Sequence, residues 1–397
     1  MRRRVALVAS TATAAWLACG CFSSSSSPSP PPALDGSVGD ATLPVDGATE
    51  DAPIATADAP AETDAGPTPM PGDAAGDADA PTDAGSDAPG MSATATGTLY
   101  LVSSNANGPI AVYPASASGM PDASDIITGS FLTVPECATA DSSGNLYVAN
   151  ISTIFVFAKG ATSPTTTLTS PAISGAVKGL AVDRSGNLYV IGGVTVTGVG
   201  TTYGVAVFGP DAGTGATPTA TFTASSLGFP VGIAVDGSGN VFLASRNESG
   251  GDDAILEFAP GATGTATPSR SISGTMSQIG QNGIGGLGVD SAGNVYGTVY
   301  QNSANATNRV VVFGPGATSG DQPPTREIVG AATGLATPTG LALDSAGNLY
   351  VNNGGSGNGG TVTVYPPGAN GNEPPSRTLD PVIQGTPVGA IGIAVGP

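Results

Sequence analysis

The sequence predicts an all-β fold: a six-bladed β-propeller whose N- and C-terminal strands close one blade, preceded by a disordered tether. Three observations predict it. A motif of the form Gly-Leu-Ala-Val-Asp-x-x-Gly-Asn-Leu-Tyr-Val recurs along residues 97–397. Its turn glycines (Gly97, Gly144, Gly186, Gly239, Gly293, Gly347) stand 42 to 54 residues apart, the interval of propeller blades made of four short strands. Every predicted strand is short, turn-bounded and rich in Val, Ile, Leu, Tyr and Thr, and no stretch has a helical period. The two ends of the segment complement each other. It starts with Gly97-Thr98-Leu99-Tyr100-Leu101-Val102, the second strand of a unit, and finishes with Gly392-Ile393-Ala394-Val395-Gly396-Pro397, a first strand alone. Pairing them completes a sixth blade and leaves no open edge.

Ahead of the repeats lie two segments of different composition. Residues 1–20 read as a lipoprotein signal peptide: Met1-Arg2-Arg3-Arg4, then an uncharged apolar run from Val5 to Ala18, too short to span a bilayer. The ending Leu17-Ala18-Cys19-Gly20-Cys21 resembles a bacterial lipobox, with Cys21 or Cys19 as the acylated residue. Neither is followed by Asp, so the outer membrane is the expected address. Residues 21–96 form an acidic linker rich in Ala, Asp, Pro and Ser, with Asp-Ala-Pro recurring at Asp51, Asp58, Asp79 and Asp87. From residue 22 to 96 it holds 13 acidic and no basic residues. Low hydrophobicity with charge of one sign predicts disorder. Such a tether reaches roughly 50 Å or more.

Within 97–397 each unit opens with a strand such as Gly179–Asp183, Gly232–Asp236, Gly286–Asp290 or Gly340–Asp344. Asp-x-x-Gly then fits a type I turn, with Asp bonding its own turn amides and Gly supplying a positive φ. A second strand follows (Asn145–Val148, Asn187–Val190, Asn348–Val351). The third is Ile154–Phe157, Val205–Phe208, Ile255–Phe258, Val310–Phe313 and Val362–Tyr365. A Pro-Gly-Ala turn leads to an outer strand, as at Ser269–Ile272 or Thr325–Val329. These units resemble NHL-type six-bladed propellers, whose repeats similarly combine GLAVD…GNLYVAD with I-x-V-F, over the whole of 97–397. The Asp and Arg usual in that family's second-to-third-strand loop are mostly missing, so the resemblance implies the fold and no shared ligand.

Composition excludes several chemistries. The chain has no histidine, which removes an imidazole base, a Ser-His-Asp triad and imidazole-ligated zinc. The repeat region carries 17 acidic and 8 basic residues, so nucleic acid would be repelled. Cys137, its only cysteine, stands where other repeats have glycine beside the axis and reads as a buried small residue. Gly283-Ile284-Gly285-Gly286-Leu287-Gly288 matches G-x-G-x-x-G, but a hairpin rather than a helix follows, so it reads as repeat glycine. The repeated aspartates (Asp141, Asp183, Asp236, Asp290, Asp344) fall on different blades and read as turn caps.

Two loop sets share one face. The loops before each first strand place Glu136 and Lys178, with Val231, Thr339 and Ile391, at the channel mouth. The loops between second and third strands supply Asn150, Arg246, Asn247, Tyr300, Asn302, Asn352 and Asn353. Amide, guanidinium and phenol groups suit a sugar or a peptide backbone; the same residues are also what a solvated loop carries. Glu248, Asp252 and Asp253 offer oxygen ligands for calcium, or are simply solvated. The expectation is a non-catalytic, monomeric propeller without a cofactor, lipid-anchored to the outer membrane and presenting loops to a protein, peptide or glycan. The alternative is an enzyme resembling the calcium-dependent lactonases and hydrolases built on six-bladed propellers, which do not need His.

Overall fold

The computed structural model describes residues 95–103, 108–280, 283–300, 307–354 and 359–397. The expected signal peptide with Cys19 and Cys21, nearly all of the expected tether, and Asn302 lie outside the described residues. Six antiparallel sheets form the ring. Blade 1 combines the inner strand Ala390–Gly396 with Thr98–Ser103, Ile110–Pro114 and Asp125–Ile127. Blade 2 holds Pro135–Ala140, Leu146–Asn150, Thr153–Phe157 and Thr166–Leu168. Blade 3 holds Ile173–Val182, Leu188–Val196, Gly200–Phe208 and Ala220–Thr223, and blade 4 holds Phe229–Val235, Val241–Arg246, Ala254–Phe258 and Arg270–Ser273. Blade 5 holds Ile284–Val289, Val295–Val299, Arg309–Phe313 and Arg326–Val329. Blade 6 holds Pro338–Leu343, Leu349–Asn353, Thr361–Tyr365 and Arg377–Leu379.

The closure read from the two ends is what forms. Thr98 pairs with Gly396, Tyr100 with Ala394 and Val102 with Gly392, antiparallel. The core is not one body of side chains but six apolar clusters, one at each blade-to-blade interface. Each third strand carries a fully buried aromatic at or next to its end: Tyr113, Phe157, Phe208, Phe258, Phe313 and Tyr365. The strand alternation therefore feeds both faces of every sheet, because both are covered by neighbouring blades.

The turn after the inner strand of blades 2 to 6 behaves as the Asp-x-x-Gly pattern demands. In blade 5, Asp290 Oδ1 accepts the amides of Ala292 and Asn294, both at 2.9 Å, and Oδ2 accepts Asn294 Nδ2 and the Tyr296 hydroxyl. The same net recurs at Asp141, Asp183 and Asp344. Gly293, at φ 82°, closes the turn in a conformation that side chains resist. The repeated tyrosine is thus a packing residue with its hydroxyl tied to the turn aspartate.

The structure adds three things to the sequence reading. Blade 3 has a longer hairpin, in which Gly200 pairs with Val196 and Tyr203 with Gly193; its glycines disguise the strand pattern. A short hairpin, Val382–Ile383 with Thr386–Pro387, and a 3-10 turn, Ala331–Thr333, sit between blades. Among the described residues, no helix is long and apolar enough to cross a membrane. The G-x-G-x-x-G string is the start of blade 5's inner strand, Ile284–Val289, as the repeat reading required.

Candidate functional site

All six inner strands break register near the same end. The breaks fall between Pro135 and Cys137, Val177 and Gly179, Pro230 and Gly232, Ile284 and Leu287, Pro338 and Gly340, and opposite Ile391. A bulge re-aims the extra side chain out of the pleat. The bulged positions are Glu136, Lys178, Val231, Gly285-Gly286, Thr339 and Ile391; apart from the glycines, they are the residues the sequence places at the channel mouth. Just inside it, Cys137 joins Gly179, Gly232, Gly286, Gly340 and Gly392 around an axial cavity of about 80 Å³. Glycine is required here by proximity: a Cβ on Gly286 would lie 2.9 Å from Gly340 Cα.

The mouth is plugged. Glu136, Lys178, Val231, Thr339 and Ile391 are all buried. Lys178 Nζ lies 3.3 Å from Glu136 Oε2, and 5.9 Å from the centre of the Phe229 ring. The pair joins neighbouring blades and is buried. Burial pushes the Glu136 carboxyl above the usual glutamate range, and the Lys178 ammonium opposes that shift without cancelling it.

The second loop set is also turned inward. Asn150 Oδ1 accepts the Val134 amide at 2.7 Å, Ser245 Oγ accepts Gly228 at 2.8 Å, and Asn353 Oδ1 accepts Ala336 at 3.0 Å. Each fastens the incoming loop of its own blade. Arg246 Nε donates to Ile284 O at 2.7 Å, and its guanidinium lies 5.0 Å from the Tyr300 ring centre, tying blade 4 to blade 5. Asn352 Nδ2 donates to Ala390 O at 2.9 Å and Thr339 Oγ1 at 3.2 Å, tying blade 6 to blade 1. Asn247 is exposed, and its Oδ1 accepts the Ser249 amide. Beside the mouth, Asn352 Oδ1 and Thr298 Oγ1 are buried without a hydrogen-bond partner among the described residues.

The three calcium candidates are not brought together as a cage. Asp253 is buried, and its carboxylate accepts the amides of Asn247, Gly283 and Ile284 at 2.9, 3.1 and 3.0 Å. Burial pushes its pKa up; those amides and Arg246 pull against the shift. Glu248 and Asp252 are exposed. Among the described residues, no group of three or more metal-ligating side chains converges. Both oxygen atoms of Asp253 accept backbone amides of the surrounding loops.

Two further concavities complete the surface. The axial channel widens to about 280 Å³ at the opposite face, lined by inner-strand residues from Ala138–Ala140 round to Ile393–Val395. A groove of about 580 Å³ runs along the outside of blade 3, past Pro171, Thr195, Thr197, Pro218, Thr219 and Thr221. It contains no ionisable side chain.

A set of arginines went unrecognised in the sequence. Arg270, Arg326 and Arg377 open the outer strands of blades 4, 5 and 6 and reach the next blade's turn carbonyls, on Ala317, Ala369 and Ala115. Each guanidinium also lies over a ring, Phe242, Tyr296 or Tyr350, at 5.7 to 5.9 Å. The signal was a recurrent Arg just after Pro-Ser or Pro-Thr, in three consecutive units.

No protein-family model matches the chain, and no curated protein matches it in sequence. Among solved structures it is similar to a protein of unknown function from Bacteroides caccae, with a TM-score of 0.53 and 11% identity, covering 76% of this chain and 98% of that one. The likeness is one of fold alone. A luciferin-regenerating enzyme also matches, with a TM-score of 0.43 and 13% identity over 65% of this chain and 80% of that one, too low to bear on function. The NHL assignment thus rests on the repeat motif, while the six-bladed propeller itself is established.

Proposed function

We propose that the chain is a non-catalytic binding propeller of the NHL type, displayed on an acidic tether from a lipid anchor on Cys21 or Cys19 at a bacterial outer membrane. Its partner is a protein, peptide or glycan. One observation carries this reading: the carboxylate at the axial mouth is committed to the protein's own lysine. Acid–base or calcium chemistry needs carboxylates turned toward a substrate or ion. Glu136 is turned to Lys178, Asp253 to three amides, and the repeated aspartates to their own turns. The blade 3 groove offers hydroxyls, methyls and proline rings, which suit recognition rather than proton transfer.

The charge distribution supports the choice of partner. Of the eight basic residues in the repeat region, Lys178, Arg246, Arg270, Arg309, Arg326 and Arg377 are engaged with the protein's own acids, carbonyls or rings. Little positive surface is left to hold a phosphate backbone.

The test is a screen of the full chain against peptide and glycan arrays and released peptidoglycan fragments. Binding by one class supports the reading, and silence across all of them overturns it. A rise of several degrees in Tm on adding calcium would favour the calcium-dependent hydrolase instead. Mass spectrometry of the membrane-extracted protein checks the anchor: unmodified Cys19 and Cys21 would refute it.

A further inference from the structure

We infer that the outer edge of blade 1 is a docking site for an extended, glycine-containing peptide of basic character, which adds as a parallel strand beside Asp125–Ile127. This rests on the binding-scaffold reading and deepens it, naming the partner's chemistry and where it docks.

The other five outer edges are each met by the segment that follows the next blade's third strand, and on blades 3 to 6 that segment lays a short stretch parallel to the outer strand. On blade 4, the Gly320 amide donates to Ser271 O at 2.8 Å while Gly320 O accepts from Ser273. On blade 5, Gly371 donates to Glu327 O and accepts from the Val329 amide at 2.9 Å. On blade 6, Gly119 donates to Thr378 O and accepts from the Asp380 amide at 2.7 Å. Gly264–Thr265 pairs parallel with blade 3's outer strand, and the Ala216 amide donates to Thr169 O beside blade 2's.

Blade 1 lacks its cover because the segment that would supply it is too short. Phe157 to Thr166 in blade 2 spans nine residues, against twelve for Phe258 to Arg270 and for Tyr365 to Arg377. The missing residues are the crossing glycine and its neighbours. On the bare edge, the Ile126 carbonyl and Thr128 amide are the counterparts of Ser271 O and Ser273 N. Neither has an outward partner among the described residues. Thr128 is exposed and Ile126 half-buried. An uncovered row of backbone donors and acceptors is a template for strand addition.

The charge at this edge selects the occupant. Blades 4, 5 and 6 open their outer strands with Arg; blade 1 puts the exposed Asp125 at that register position. Asp125 Oδ1 accepts the neighbouring Ile126 amide at 2.8 Å. Ala161 O, the counterpart of the carbonyl that Arg270 reaches on Ala317, receives no arginine among the described residues. A basic side chain on the incoming strand would meet both oxygens. The chain's own linker is a poor occupant, with 13 acids and no base between residues 22 and 96. Phe131, edge-to-face on Phe155 at 5.3 Å, gives the apolar flank.

The probes are two fluorescent octapeptides, one copying residues 368–375 and one the same with Ala369→Lys, the position that the parallel register sets beside Asp125. Hydrogen–deuterium exchange and anisotropy are read on the full-length chain. Without peptide, the Thr128 amide should exchange at least tenfold faster than those of Ser273, Val329 and Asp380. The lysine peptide should slow Thr128 at least tenfold and bind more tightly than its acidic parent. Asp125→Lys should weaken it at least tenfold with the fold intact. Replacing residues 158–165 by 259–269 should protect Thr128 and abolish binding. Thr128 protected without peptide at every dilution would show that the chain covers its own edge, and protection only at high concentration would show a second copy there; either overturns the inference. Peptide binding that leaves Thr128 unprotected overturns the edge alone. Protection of Thr128 alongside blank arrays would leave the edge standing while the broader screen failed.

Discussion

Replacing one member of the Glu136–Lys178 pair tests the plugged mouth directly. Both side chains are about 5% exposed and their charged atoms are 3.3 Å apart. With an effective dielectric of 20, that separation gives about 5 kcal/mol of attraction. Desolvating two ions costs several kcal/mol each, so the intact pair is close to neutral for stability. Removing one partner differs, because the survivor stays buried: Glu136→Gln or Lys178→Met should each cost about 3–5 kcal/mol. Glu136→Leu with Lys178→Met should return most of it, since neither ion then needs solvation. The pH dependence has a definite sign. The folded carboxyl has a raised pKa, so its stabilising share is present at low pH and lost as pH rises through that value. Losing Lys178 removes the charge that opposes the shift, so the Lys178→Met penalty should shrink on acidification. The sole tryptophan, Trp16, lies ahead of the repeats, so urea unfolding is followed by circular dichroism. Two single variants each losing under about 1 kcal/mol, and adding simply in the double, would mean a solvated bridge and refute the reasoning.

Other predictions follow from the same contacts. Hydrogen bonds from Asn294, Tyr296 and Ala292 outweigh burial and hold the Asp290 carboxyl below its ordinary range. Its contribution is therefore present above about pH 4 and lost as pH falls through the folded value. Asp290→Asn should cost about 1–3 kcal/mol at pH 7 and less in acid, measured by urea melts across pH. Gly286→Ala forces a methyl to within 2.9 Å of Gly340 Cα and should cost about 1–3 kcal/mol. Arg377→Ala removes the 2.6 Å bond to Ala115 O and the contact with Tyr350; calorimetry should show a loss of about 2 kcal/mol. Exposed Arg184→Ala should change stability by no more than about 0.5 kcal/mol. Deleting Ala390–Pro397 removes the inner strand of blade 1 and should abolish the cooperative transition; a sharp melt at unchanged temperature would contradict ring closure.

The sequence by itself determined what repeats locally. Asp-x-x-Gly dictates its turn because the carboxylate and the glycine φ act within five residues, and Val/Ile/Tyr alternation marks the strands those turns join. Blade count and closure followed, since a first strand at one end and a second strand at the other complete one blade between them. The residues at the mouth were also placed, as positions ahead of each inner strand. Only the tertiary structure decided what those residues do. Whether Asn150, Arg246 or Asn353 faces a ligand or fastens a loop depends on bulges and on partners 16 to 38 residues away, and polarity is the same in either case. Arg270, Arg326 and Arg377 likewise became latches only once the next blade's carbonyls lay within reach. Spacing along the chain records local geometry; burial and charge pairing are properties of the closed ring.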